Sequence, residues 1–182
     1  MAEGQTRYSL GAMAFHWIIA IAVIWNWRIA ENAEHAASRE AAGAIMADHK
    51  ALGITILLLT LGRLAWRLTH KVPPLPSTLA NWERVLARTV HVIFYVMLIG
   101  LPIGGWLASS FYGKGIDMWG LFTWPALPVG ENADTGKAIF ELHGTGGSIL
   151  IYLIGLHILG ALKHTFFDKA GGIFRMLPFG KA

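Results

Sequence analysis

Eight histidines and no cysteine stand in this chain of 182 residues. Without thiols there are no disulfides, no iron–sulfur ligation and no C-x-x-C-H attachment of a haem, so a transition metal would have to be held by imidazole, carboxylate or thioether. His35 and His70 fall in polar connections and His164 follows Lys163 at the end of an apolar run. These three read as solvated or interfacial side chains, with His164 also within reach of a cofactor carboxylate. His16, His49, His91, His143 and His157 stand within or at the ends of long apolar runs. One such histidine is well explained as a core residue bonded to a neighbouring helix. Five across four runs, with no acid among them to complete a proton relay, point to ligation.

The spacing sharpens this. In HGTGGSILIYLIGLH, His143 and His157 are fourteen residues apart. On a helix they return to within about 40° of one face and are separated by a rise of about 21 Å. No single metal bridges that distance, so two sites at two depths are implied, each needing a ligand from another helix. His49 opens the second run at the level of His143. For His157 the candidates are His16 and His91. His16 lies nine residues beyond Arg7 and His157 six before Lys163, whereas His91 is only three from Arg88 and shallower. Depth therefore pairs His16 with His157. Two imidazoles per site suit haem iron, whose macrocycle supplies four nitrogens and leaves two axial positions to the protein; structural zinc takes four protein ligands. Gly11, Gly53, Gly144, Gly146 and Gly147 lie near the four ligands, where a macrocycle needs clearance, a position that helix–helix packing explains as well. Arg7, Arg84 and Arg88 are available to inner-haem propionates and equally suited to anchoring.

The elements that position these residues follow from composition. Hydrophobic residues make up 54% of the chain and charged residues 14%, against about 25% charged in soluble proteins. The excess lies in four runs, Leu10–Trp27, Ala51–Leu68, Val90–Ser110 and Gly144–Leu162, each long enough to cross a hydrocarbon core of about 30 Å as a helix. They carry almost no polar face, which excludes a soluble bundle. The expected fold is all-α, a four-transmembrane-helix bundle forming one membrane domain over residues 1–182, with helices near 9–30, 49–69, 82–110 and 141–167. The first run is longer than a signal-peptide core, is followed by RIAENAEHAAS with no A-x-A site, and carries His16, so it reads as retained. Charges on the N-terminus, the 63–88 connection and the C-terminal tail sum to +7, and those on the 28–50 and 114–141 connections to −3. The positive-inside bias puts both termini in the cytoplasm, as expected of a multi-pass inner-membrane protein, and tryptophans gather at both boundaries. HKVPPLPSTLANWE reads as a stiff connector with Ser77 or Thr78 capping the third helix. The apolar WGLFTWPALP of the outer loop is expected to lie on the bilayer surface.

The segments YSLGAMAFHW, DHKALGITILLLTLGRLAWRL, PPLP, LARTVHVIFYVMLIGLPIGGWL, ELHGTGG and GLHILGALKHTFFDKAGGIFRMLP resemble the bacterial cytochrome b561 family, from about Tyr8 to Pro178. The resemblance implies two non-covalent haem b groups stacked across the membrane, with His16 and His157 as axial iron ligands of one and His49 and His143 of the other. It implies a quinone-linked electron carrier. One branch of the family oxidises superoxide at the periplasmic face and reduces ubiquinone; other relatives anchor hydrogenases or dehydrogenases to the quinone pool, usually with further spans or a longer cytoplasmic segment. The end of this chain soon after Pro178 favours the stand-alone form. The outer connections sum to −3 although superoxide is an anion, and Lys50, Lys114 and Lys137 are the local charges able to focus it. The expected partners are the lipid bilayer, a quinone, superoxide or another electron donor and, in one version, a second copy in a dimer; nothing points to nucleic acid.

Overall fold

The computed structural model describes residues 6–180; Glu3 and Lys181, counted above among the charges, lie outside them. Four long helices follow one another: α1 (Leu10–Glu34), α2 (Arg39–Thr69), α3 (Asn81–Ser110) and α4 (Ala133–Phe166). All four are long and apolar enough to cross a membrane. α1 packs along α2 and α3 along α4, and the two pairs are joined chiefly through α2 and α3. The fold is the expected four-helix membrane bundle with one small addition, an antiparallel hairpin of β1 (Ile116–Asp117) and β2 (Thr123–Trp124).

The helix ends depart from the sequence expectation in an instructive way. α2 begins at Arg39 and α4 at Ala133, each about three turns before its apolar run. Hydropathy marks only the buried stretch of a helix, whereas Ser38 and Asn132 cap polar, alanine-containing turns ahead of it, accepting from the amides of Ala41 and Thr135. His49 and His143 are therefore well inside their helices and held at fixed height. The cap of α3 is neither Ser77 nor Thr78. Ala80 takes that position, its amide donating to Glu83 Oε2 at 3.0 Å. Pro74 and Pro76 keep the connector extended, and the chain then turns at Ser77 and Thr78, where Arg84 donates to the carbonyls of Ser77 and Leu79.

Between the two histidine levels the bundle is filled by Ile19, Val23, Ile56 and Leu150, with Phe94, Leu98 and Leu101 packed on them. Leu150 lies midway between His143 and His157 on α4, so an apolar plug separates the two levels. Large apolar side chains such as Ile21, Val96, Tyr152 and Leu159 face outward, as a lipid solvent allows. At the acidic end the hairpin folds onto α2, burying Ile116 and Met118 against Ala51 and Ile54. Trp119, at φ 55°, and Gly120, at φ 73°, form its tip, which presents Trp119, Leu121 and Phe122 outward. At the basic end Arg175 is buried and joins three segments, donating to Thr6 O at 2.9 Å and Pro74 O at 2.6 Å while the Tyr8 amide donates to its own carbonyl.

Candidate functional site

α4 carries one histidine toward each end of the bundle, and each meets a partner from the other helix pair. His143 faces His49 of α2 with ring centroids 5.9 Å apart. His157 faces His16 of α1 at 6.4 Å. Two imidazoles pointing at one metal, each nitrogen about 2 Å from it, would have centroids about 6 Å apart. Both pairs match that spacing, and their rings stand near perpendicular, at 87° and 76°.

At the His49–His143 pair, toward the acidic end, the backbone fixes which nitrogen is free. His49 Nδ1 lies 3.1 Å from Asn26 O and His143 Nδ1 2.9 Å from Leu101 O. A carbonyl only accepts, so each Nδ1 carries the proton and each Nε2 presents its lone pair, the arrangement that orients a metal-binding histidine. Gly105 of α3 completes the seat: a Cβ there would come within 3.1 Å of His143 Cε1. Asn26 and Gly105 were not singled out by the sequence, because a backbone carbonyl and a missing side chain leave no chemical signature.

The inner level holds a third ring. His91 of α3 lies 5.9 Å from His157 by centroid, as near as His16, and Phe94 closes the other side at 5.4 Å. Distance alone therefore does not rank His16 and His91 as partners of His157. Arg63 of α2 reaches α3 one turn from His91, its Nε donating to Tyr95 Oη at 3.3 Å. The arginines named for this role are otherwise engaged in part. Arg7 donates to the carbonyls of Pro178 and Gly180, and Arg84 holds the connector. The signal for Arg63 was present in the sequence, since Arg63 and Arg67 are spaced i, i+4 and share a helix face.

The remaining histidines are locally satisfied. His35 bonds Glu31 O, His70 stacks on Trp66 at 3.8 Å, and His164 Nδ1 sits 2.6 Å from Asp168 Oδ2. Glu83, His164 and Asp168 bring their ligand atoms within 4.8 Å of one another, but the Lys163 ammonium already fills that space, 2.8 Å from Glu83 and 2.7 Å from Asp168. The group ties the start of α3 to the end of α4. Hydrogen bonds from Lys163 and His164 hold the Asp168 carboxyl below its ordinary range.

Haem fits what the chain offers: two imidazole pairs at bis-ligand spacing, free Nε2 atoms at one of them, and open backbone beside the ligands. A Cβ on Gly147, one turn after His143 on the same face, would meet nothing within 4 Å; Gly144 is exposed. Gly11 and Gly146 differ, pressing against Trp66 and Leu101, and serve helix–helix packing.

Comparison with known proteins gives the same direction. Residues 7–179 match the family model described as prokaryotic cytochrome b561. "Cytochrome b561 homolog 2" of Escherichia coli (strain K12) is 32% identical over 179 residues, covering 94% of this chain and 91% of that protein. "Probable superoxide oxidase CybB" of Yersinia pestis is 28% identical, covering 94% and 96%. "Cytochrome b561 homolog 1" of Escherichia coli (strain K12) is 24% identical, covering 96% and 98%.

Proposed function

The chain belongs to the prokaryotic cytochrome b561 family and is thus a bacterial membrane electron-transfer protein using haem b; from that premise we propose that it holds two haems and moves electrons from superoxide at the acidic, periplasmic face to ubiquinone. His49 and His143 would hold the outer haem and His16 and His157 the inner one. Bound haem supplies reversible one-electron chemistry, which imidazole and the other side chains lack. The chain's own contribution is ligation at two fixed heights, orientation of the outer imidazoles by Asn26 and Leu101, and exclusion of water by the Ile19–Leu150 plug. In balance, two superoxide anions become two dioxygen molecules while one quinone gains two electrons and two protons. The observation that carries this reading is the two histidine pairs at bis-imidazole spacing, both built on α4. The relative described as a probable superoxide oxidase supports the choice of donor. Of the lysines at the acidic end, Lys137 is paired with Glu141 at 3.9 Å.

A reduced-minus-oxidised spectrum of the purified protein is expected to give a b-type signal, with two haems per chain by pyridine haemochrome. Mixing the protein with superoxide and a soluble ubiquinone is expected to form quinol faster than without it. Haem present but no acceleration would overturn the superoxide donor and leave the anchor role, in which a partner dehydrogenase exchanges electrons with the quinone pool.

A further inference from the structure

A cavity of about 240 Å³ opens at the acidic end, lined by Lys50, Ser109, Tyr112, Lys114 and Phe140. Lys50 is the residue after His49 on α2, and Phe140 stands three residues before His143 on α4, a neighbouring position on the same face. Lys50 comes to this cavity from α2 and Lys114 from the segment between α3 and β1. Among the described residues neither has a carboxylate partner, although Lys137 and Lys163 both do. The floor of the cavity is Ser109, 2% exposed, whose hydroxyl has no hydrogen-bond partner. Its neighbour Ser110 is fully used, donating to Trp106 O and accepting from the Leu127 amide. A buried hydroxyl left unbonded costs about 1–3 kcal/mol, and native structures rarely keep one without a ligand or water to meet it. Tyr112 donates its own proton to Ala133 O and stacks on Phe140, forming an apolar wall. Two cations and one free hydroxyl around a space of this size describe a receptor for a pair of anionic oxygens.

We propose that this cavity takes the two propionate carboxylates of the outer haem, with Lys50 and Lys114 as their counter-charges and Ser109 as a hydrogen-bond donor. The assignment rests on the two-haem reading above. It fixes how the outer macrocycle is turned, with its carboxylates toward the acidic face and its apolar edge toward the membrane core. It also neutralises the two lysines once haem is bound, so an incoming anion meets a weaker field than the apoprotein would present.

The test compares haem b with its dimethyl ester, which keeps the iron and loses both charges. In a His16→Ala background, where only the outer pair ligates, apoprotein is titrated with each form. The parent is expected to bind the ester about tenfold or more weakly, the worth of one charge-assisted hydrogen bond or better. K50Q together with K114Q is expected to abolish that preference by weakening haem b alone, and the corresponding arginine pair to retain it. Where apoprotein does not take up added haem, the as-purified variants give a second reading by redox titration. The outer potential of K50Q and K114Q is expected to fall and to become dependent on pH, as released carboxylates take up protons; K137Q leaves both potentials unmoved. Equal affinity for haem and ester in the parent, or an undiminished preference in the double variant, overturns the proposal, as does an unshifted, pH-independent outer potential in the as-purified variants. So does a salt-sensitive superoxide rate lost in K114Q with the ester preference absent, which assigns the cavity to a free small anion. Absence of haem from the wild-type protein would instead overturn the two-haem reading itself.

Discussion

His49 and His143 are each oriented by a backbone carbonyl at Nδ1, and the ligand assignment is testable one residue at a time. His49→Ala and His143→Ala are each expected to lower the haem count from two to one per chain and to remove the same component of the redox titration; His16→Ala and His157→Ala remove the other. His91→Ala is expected to keep two haems. Loss of the inner haem in H91A with retention in H16A would reverse the pairing, and with both rings about equally near His157 this is the discriminating pair. Gly105→Ala tests the seat of His143. Its Cβ would meet the ring at 3.1 Å, and overpacking of this kind costs about 1–3 kcal/mol, so the outer haem is expected to be depleted while the inner one is not. Gly100→Ala, where a Cβ meets nothing, is the matched control.

Among the elements, stability at the basic end depends on two small clusters. Asp168 has its carboxyl pKa depressed by the hydrogen bonds of Lys163 and His164. A depressed carboxylate contributes stability that is complete above its unfolded value, near 3.8, and is lost as pH falls through the lower folded value. Thermal midpoints in detergent are thus expected to drop below about pH 4, and Asp168→Asn to remove that part of the acid sensitivity. Arg175→Met deletes two buried charge-assisted bonds to backbone carbonyls and is expected to cost about 2–4 kcal/mol, read as a lower thermal midpoint with both haems retained. What the sequence revealed about these elements has a physical boundary. Four spans and two levels of facing histidines were legible because apolar length and 3.6-residue phase are written directly in residue types. The early starts of α2 and α4, the cap at Ala80, and the roles of Asn26, Gly105 and Ser109 were not. They depend on backbone groups and on space, which residue identity encodes only through the fold. His91 was set aside by depth counted from Arg88, whereas its ring stands about as near His157 as that of His16 does, a proximity that helix register sets and distance from a charge does not.

At the scale of the molecule, charge asymmetry and the absence of cysteine give a direct test of orientation. Single cysteines introduced at exposed Ala37 and Ser77 report the two ends against a silent background. Ala37→Cys is expected to react with an impermeant maleimide in spheroplasts, and Ser77→Cys only after permeabilisation; the reverse pattern would invert the topology and put the termini outside.

Arg175 also bears on the order in which the protein can be made. It reaches back across 169 residues to Thr6 and across 101 to Pro74. At a synthesis rate of roughly 5–20 residues per second, Thr6 waits on the order of ten to thirty seconds for its partner. All four spans must leave the ribosome before the tie can close, so the nascent bundle passes through a stage with its helices inserted and its basic end unlatched. Arg175 thus acts as a latch that closes only after all four spans have been made.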